Sequence, residues 1–227
     1  MGDRPEKPTE AHEAKLTELQ RLYATALLMG DEIGAEIAIR DAMDVGASTA
    51  EIDDAIIAPA LWLVGDLWER GEITVADEHL ATEISIRVLA LQREAQRVAH
   101  ARREQRIMLA APAGELHVVA LRMNGDLLRE AGYDVLMLGA DVPAADLASS
   151  AGRYQPDVVC MTSTLPGGMD RIWVAIDEVQ EVRPEAGFVV GGRGLERMRS
   201  EPGIKVCQRI PEVVEAVDAM VKRADLN

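Results

Sequence analysis

Aromatic side chains are scarce: the 227 residues include three Trp, three Tyr and one Phe. With 48% of the chain hydrophobic, the core must be built from Ala, Leu, Ile, Val and Met, a composition that suits helix packing and buried parallel strands. Cysteine is scarcer still. Cys160 and Cys207 stand far apart and form neither a disulfide framework nor a zinc site, in keeping with a reducing compartment. Long apolar runs are also missing. The longest, residues 55–65, is about half of what a bilayer requires, and the charged, Pro-rich residues 1–10 are unlike a signal peptide. The expectation is a globular cytoplasmic protein with no membrane role. Positive charge is outweighed, with 24 Lys and Arg against 39 Asp and Glu and a net charge of −15. Such a chain repels phosphate backbones, so no direct nucleic-acid binding is expected and any output onto DNA needs a partner.

The length accommodates two modest domains, and the hydrophobic period changes where they would meet. Residues 11–100 follow a helical pattern. Leu16, Leu19, Tyr23 and Leu27 form one stripe, while Leu80, Ile84, Val88, Leu91, Ala95 and Val98 form a longer one. Two further helical stretches, 31–45 and 48–70, are separated by Gly46. Ser48 with Glu51, and Thr74 with Asp77, have the form of capping boxes. Pro59 is expected to kink the third helix. Four antiparallel helices with short loops is the economical packing. Residues 1–10 read as a disordered tail and 101–106 as a linker within the basic joint "HARREQR".

From 107 to 227 the pattern is α/β. The apolar runs "RIMLAAP" (106–112), "YDVLMLG" (133–139), "PDVVCMTST" (156–164), "GFVVGG" (187–192) and, weakly, "IKVCQ" (204–208) alternate with helical stretches. This predicts an open, doubly wound, parallel sheet of five strands, with its ligand beyond the carboxyl ends of the strands. A final helix over 211–222 packs on the sheet.

The first turn of that sheet lacks G-x-G-x-x-G, which argues against a dinucleotide, and no G-x-x-x-x-G-K-[ST] occurs, which sets aside a P-loop. Instead "APAGELHVVA" places Glu115 and His117 at the ligand end. A neutral imidazole ligates transition ions, and a nearby carboxylate can take its other N–H and fix the tautomer. One protein ligand is too few for a bare ion, so a metal here arrives in its own macrocycle. The plainer reading is an ordinary loop or helix-capping His. Ser163, Thr164 and Leu165 close the third strand, and Gly191 and Gly192 the fourth. Small residues at two strand ends let backbone approach a bulky ligand, and the Ser hydroxyl can hydrogen-bond it. Ordinary turn chemistry is the alternative for each taken singly.

Together these residues resemble the vitamin B12-binding domain, a flavodoxin-like fold patterned [DE]-x-H-x-x-G, then S-x-L, then GG. The matches are Glu115 and His117, Ser163 and Leu165, and Gly191 and Gly192, with Ala120 where the pattern has its first glycine. The resemblance implies that His117 is the lower axial ligand of cobalt. It also implies that the benzimidazole tail is displaced into a slot lined by Ser163, Leu165, Gly191 and Gly192. The helical half resembles the four-helix cap module of the same family. Trp68, nine residues, then Glu78 and His79 is similar to the W-x9-EH signature of CarH-type B12-dependent photoreceptors. That resemblance implies that Trp68 fills the space of the adenosyl group and that Glu78 hydrogen-bonds it. It further implies that His79 could take the upper axial position once light breaks the cobalt–carbon bond. Gly71 ending the third helix and Thr74 capping the fourth put all three residues at one bundle end, and a helix N-terminus disfavours a protonated His79. A core Trp with an exposed Glu-His pair is the plainer reading.

The resemblance covers roughly residues 10–222 and implies a cobalamin-dependent light sensor, not an enzyme. It would hold adenosylcobalamin between the helical cap and the Rossmann-like domain. The MerR-like helix-turn-helix of CarH-type sensors is not expected, so output passes through a protein partner or a homo-oligomer, a dimer or tetramer. A non-covalent bilin such as biliverdin, as in photocobilins, is a further candidate chromophore, since Cys160 and Cys207 fall on predicted strands and suggest no thioether site. One alternative is the corrinoid methyl-carrier protein of a methyltransferase system, which has no need of W-x9-EH. Another is a B12-binding anti-repressor that reads redox state or abundance. His12 and His100 read as solvated, and Trp62 and Trp173 as core or interface.

Overall fold

A computed structural model describes residues 9–95 and 102–224, and the chain divides into two compact units, Met1–Gln96 and Arg97–Asn227. The expected tail over residues 1–8, and Val98 and His100, lie outside the described residues.

The first unit is helical, and its boundaries are local chemistry. Helix α1 (Glu10–Met29) starts where the Thr9 hydroxyl accepts the His12 N–H, so Glu10 belongs to the helix, and it stops at Gly30 with φ 65°. Helix α2 (Glu32–Asp44) opens with Asp31 accepting the Gly34 N–H. At α3 (Thr49–Ile52) the Glu51 N–H donates to Ser48 Oγ while the Ser48 N–H donates to Glu51 Oε2. The rod continues through a π turn (Asp53–Ile57) into α4 (Ala58–Glu69). Pro59, expected to kink one continuous helix, stands instead just past this turn, in the first turn of α4. The Ala58 N–H reaches back five residues to the Asp53 carbonyl, just ahead of a ring that cannot donate at all. Gly71, at φ 70°, turns the chain, and α5 (Val75–Ala95) begins after Thr74 and Asp77 exchange hydrogen bonds.

Leu16, Leu19, Tyr23 and Leu27 are all buried, as their spacing predicts. On α5 the expected stripe holds only in part: Ile84 and Val88 are buried, but Leu80 and Leu91 are exposed. The face turned inward carries Ala81, Ile84, Ser85, Val88, Leu89 and Gln92. Hydropathy misses this face because two of its members are polar. Ser85 is accommodated by Tyr23, whose hydroxyl donates to Ser85 Oγ at 3.0 Å, while Ser85 donates to the Ala81 carbonyl at 2.8 Å. Trp62 on α4 is exposed.

The second unit runs β1 (Arg106–Pro112), α6 (Val119–Glu130), β2 (Asp134–Val142), α7 (Ala144–Tyr154), β3 (Val158–Thr162), α8 (Gly168–Val182), β4 (Gly187–Gly191), β5 (Ile204–Cys207) and α9 (Glu212–Ala224). Its five strands are parallel in the order β2-β1-β3-β4-β5, the doubly wound sheet that the apolar runs predict. Strand β2 extends further than its apolar run. It bulges at Gly139, φ 93°, and pairs on to Val142 opposite Pro112. The order reverses between β1 and β3, so the loops leaving these strands diverge and open a crevice at their carboxyl ends.

One face of the sheet, with Met108, Met161, Phe188 and Val190, packs on Leu147 of α7 and on Ile172 and Ile176 of α8, and Trp173 lies partly buried against that cluster. The other face is covered by α6 and α9. A Cβ built on Gly125 would stand 3.6 Å from Leu109 Cδ2, and one built on Gly187 would stand 2.9 Å from Met220 Cβ. Arg103 fastens the start of the unit, donating to Asp218 of α9 at 2.6 Å and to the Tyr133 hydroxyl at 2.7 Å. No helix among the described residues is long and apolar enough to cross a membrane.

The reciprocal cap of α3 can be tested directly. Ser48→Ala removes the acceptor for the Glu51 N–H and is expected to lower stability by about 1 kcal/mol. Ser48→Asp should restore most of it, with both effects read as shifts of the urea midpoint.

Candidate functional site

The turn after β1 is organised by a buried carboxylate. Glu115 has 0% exposure, and an ion in that position needs donors on every side. It has five. Oε1 accepts the His117 backbone N–H at 3.0 Å and stands 2.6 Å from His117 Nδ1. Oε2 accepts Ser163 Oγ–H at 3.1 Å, the Thr164 N–H at 2.6 Å and the Leu165 N–H at 3.2 Å. Burial alone pushes the carboxyl up, but the hydrogen bonds from the His117 side chain and from the His117, Thr164 and Leu165 backbones outweigh it and lower the pKa to about 2. The carboxylate is therefore ionised and can only accept, which assigns the His117 proton to Nδ1. The ring itself is half-exposed.

The motif residues of β3 and β4 converge on the same place, in a different way from the sequence expectation. The Ser163 hydroxyl, expected to meet a ligand, donates to Glu115. Gly191 and Gly192 were expected to admit a ligand. A Cβ on Gly192, at φ 117°, would stand 2.3 Å from the Ser163 carbonyl oxygen, and one on Gly194 would stand 2.4 Å from the Leu165 carbonyl oxygen. These glycines let the β4 loop close on the β3 loop, which is tied down by Ser163 N–H to Gly191 O and Gly194 N–H to Ser163 O, both 3.0 Å. Gly168, at the start of α8, does the same for the Ser163 side chain, whose Oγ would lie 2.0 Å from a Cβ there. Ala120 sits in the first turn of α6, where the methyl group is partly buried.

Asp141 is a contributor that motif reading passes over. It adopts φ 53° and uses Oδ1 to accept the Gly114 N–H at 2.7 Å, while its own N–H donates to the Glu115 carbonyl at 3.0 Å. A non-glycine residue in the left-handed region is held there by its surroundings. Here the extended end of β2 grips the His turn. The signal is the "GADVP" that ends the strand, since Asp is among the few residues that tolerate this conformation.

In the helical unit, α4 ends at Glu69 and α5 begins at Val75, so Trp68, Glu78 and His79 stand at the same end of the bundle. Trp68 is 42% exposed. His79 Nδ1 lies 2.6 Å from Glu78 Oε2, and Glu78 Oε1 accepts the Thr82 hydroxyl at 3.0 Å. Glu78, expected to reach a ligand, thus has both oxygens engaged on its own helix. The His79 side chain is 72% exposed. His12 pairs with Glu51 at 3.4 Å and belongs to neither constellation. Among the described residues no group of three or more His, Cys, Asp or Glu could hold a metal ion.

Two outcomes test this construction. The folded carboxyl of Glu115 lies below its usual value of 4.5. Its stabilisation is therefore complete above that pH and disappears as the pH falls towards 2, about 3 kcal/mol at full shift. Wild type should lose stability more steeply over that window than Glu115→Gln, which should be the less stable of the two at pH 7 by thermal melting. Gly192→Ala, which drives a methyl into backbone, should cost about 3 kcal/mol. Gly167→Ala, also at positive φ (77°) but with nothing within 4 Å of the added carbon, should cost only about 1 kcal/mol.

Residues 105–218 match the family described as B12 binding domain, and residues 19–91 match a second family of the same description. The HTH-type transcriptional repressor CarA of Myxococcus xanthus is 30% identical over 190 residues. That alignment takes in 83% of this chain but only 62% of the repressor. A corrinoid protein of Desulfitobacterium hafniense is 23% identical over 173 residues, 74% of this chain and 80% of its own. Among solved structures, the monomethylamine corrinoid protein of Methanosarcina barkeri superposes with a TM-score of 0.69 at 16% identity, over 91% of this chain and 98% of that one.

Proposed function

The chain belongs to the B12-binding domain family, and from that membership we propose that it is a cobalamin-dependent light sensor. In this reading His117 would hold the cofactor's metal and His79 would supply a second imidazole after illumination. The observation that carries the reading is a repeated pair. Each unit presents an imidazole whose Nδ1 stands 2.6 Å from a carboxylate oxygen, His117 on Glu115 and His79 on Glu78. With the Nδ1 proton held by its carboxylate, each ring offers Nε2 as a metal ligand.

The residues present fit such a cofactor. Among the described residues neither ring belongs to a group of three or more His, Cys, Asp or Glu that could hold a bare ion, so a metal bound here would bring donors of its own. When bound, adenosylcobalamin supplies a cobalt–carbon bond that light breaks. The rest falls to the chain. His117, fixed through a fully buried carboxylate, is built as a permanent ligand. His79, exposed and held only by its sequence neighbour, is built to move. Trp68 offers an apolar surface at the same bundle end as His79, suited to packing against the upper substituent and keeping water from it. We assign the helical unit, residues 11–100, the role of cap and residues 107–227 that of cofactor carrier. Signalling passes through a change in how the chain meets a protein partner or its own copies. Similarity to a repressor supports the sensor reading.

A methyl-carrier role is the competing reading, favoured by the similarity to a corrinoid protein over 80% of that protein's length. A carrier uses one imidazole. The two readings separate in absorption spectra of the protein with adenosylcobalamin, taken in the dark and after green light. The sensor gives a stable light product whose spectrum depends on His79, and His79→Ala abolishes that product while dark binding is kept. His117→Ala instead weakens dark binding by about tenfold or more. Identical light products from wild type and His79→Ala would leave the carrier reading in possession.

A further inference from the structure

The loop leaving β1 and the starts of α7 and α8 enclose a cavity of about 200 Å³. Its walls are apolar: Pro112 and Ala113, Ala144 of α7, and Val174 and Ala175 of α8. Its polar members are Asp170 and Arg171 of α8. It lies on the side of the sheet taken by α7 and α8, and none of its lining residues belongs to the Glu115 network.

Arg171 is the group that lacks a counterpart. Its Nε is buried without a hydrogen-bond partner, and among the described residues its guanidinium forms no ion pair, although Asp170 precedes it on the helix. In the same unit Arg103, Arg106 and Arg129 meet carboxylates at 2.6, 2.7 and 2.9 Å. An arginine in a protein is always charged, and a partly desolvated cation without an opposite charge is costly. What places Arg171 at the cavity is backbone shape. A Cβ built on Gly114, at φ 79°, would stand 2.8 Å from Arg171 Nη1, so the glycine admits the guanidinium against the turn whose N–H Asp141 holds.

These surroundings restrict the ligand. A guanidinium is a planar fork that matches a carboxylate with two parallel hydrogen bonds. The remaining walls offer no polar partner except Asp170, whose exposed carboxylate repels a second negative charge. At about 30 Å³ for each water-sized group, the cavity holds about six or seven heavy atoms. We propose that it binds a short-chain aliphatic monocarboxylate, with Arg171 as the residue that anchors the carboxylate. Through Arg171 and Gly114 this ligand adjoins the turn that carries His117. The proposal does not rest on the cofactor reading.

The test is titration of the full chain with isovalerate, followed by NMR through the Gly114 amide and the Arg171 Nε–H. Wild type is expected to give saturable shifts with isovalerate and none with isovaleramide, the neutral molecule of the same shape. Arg171→Gln should weaken binding, read on the Gly114 amide, about tenfold or more. It should not lower the Tm of the free protein, since the guanidinium it removes has no partner to lose. Ala144→Leu, with Arg171 intact, should fill the cavity and abolish binding. The assignment is overturned by amide binding as tight as that of the acid, by an unchanged affinity in Arg171→Gln, or by tighter binding of inorganic phosphate. Shifts that sodium chloride reproduces at the same ionic strength, or a wild type that never saturates, overturn it equally. None of these results touches the cofactor reading.

Discussion

The anion of Glu115 is the constraint on which the ligand end of the sheet depends. A carboxylate with no exposure is stable only while its donors stay in place. They come from two separate parts of the chain: the turn that carries His117, and the loop after β3 with Ser163, Thr164 and Leu165. Moving either one strands the charge. The orientation of the His117 ring is therefore a property of the fold, since it hangs on the same oxygen that fixes its own backbone N–H. The glycines serve the same end. Gly168, Gly192 and Gly194 are positions where any Cβ would collide with Ser163 or Leu165, and their absence of side chain lets three segments close around one carboxylate. Asp141 completes the enclosure from β2.

His79 has the same carboxylate contact at the same length in a setting with none of these ties. Glu78 precedes it in the chain, its other oxygen is held by Thr82 one turn along, and the ring is mostly exposed. Turning the His79 side chain costs one exposed charge-assisted bond, a loss that water largely makes good. Turning His117 breaks a buried network. The asymmetry follows from sequence separation: a pair made of adjacent residues on a helix surface cannot be rigid in the way that a pair gathered from distant loops is. One imidazole is thus held in place by the fold and the other is free to change rotamer.

Much of this was legible in the sequence, and the failures have physical causes. The parallel, doubly wound sheet follows from β-α alternation, and the caps at Ser48 and Thr74 were visible because they are local. The buried face of α5 was not, because Ser85 and Gln92 lie on it, and a polar residue becomes a core residue only through a partner such as Tyr23, 62 positions away. The motif residues Glu115, Ser163 and Gly192 were visible as a group, but their assigned tasks were ligand contacts, whereas the structure engages them first with one another. Motif spacing reports that residues meet. It cannot report which of them consume each other's hydrogen-bonding capacity.

That distinction bears most on the two adjacent hydroxyls at the end of β3. A strand alternates its side chains between faces, so Thr162 and Ser163 cannot share a task although they are neighbours. Ser163 turns to the side of α8, where Gly168 leaves room for it, and is taken up by Glu115. Thr162 turns to the side of α6 and α9, in line with Gly191, and is left without a partner. Exchanging their environments would require a one-residue slip of β3, which would reverse every buried side chain of that strand. The pleat thus divides one short polar segment between holding the His117 imidazole through Glu115 and facing the helices on the other side of the sheet.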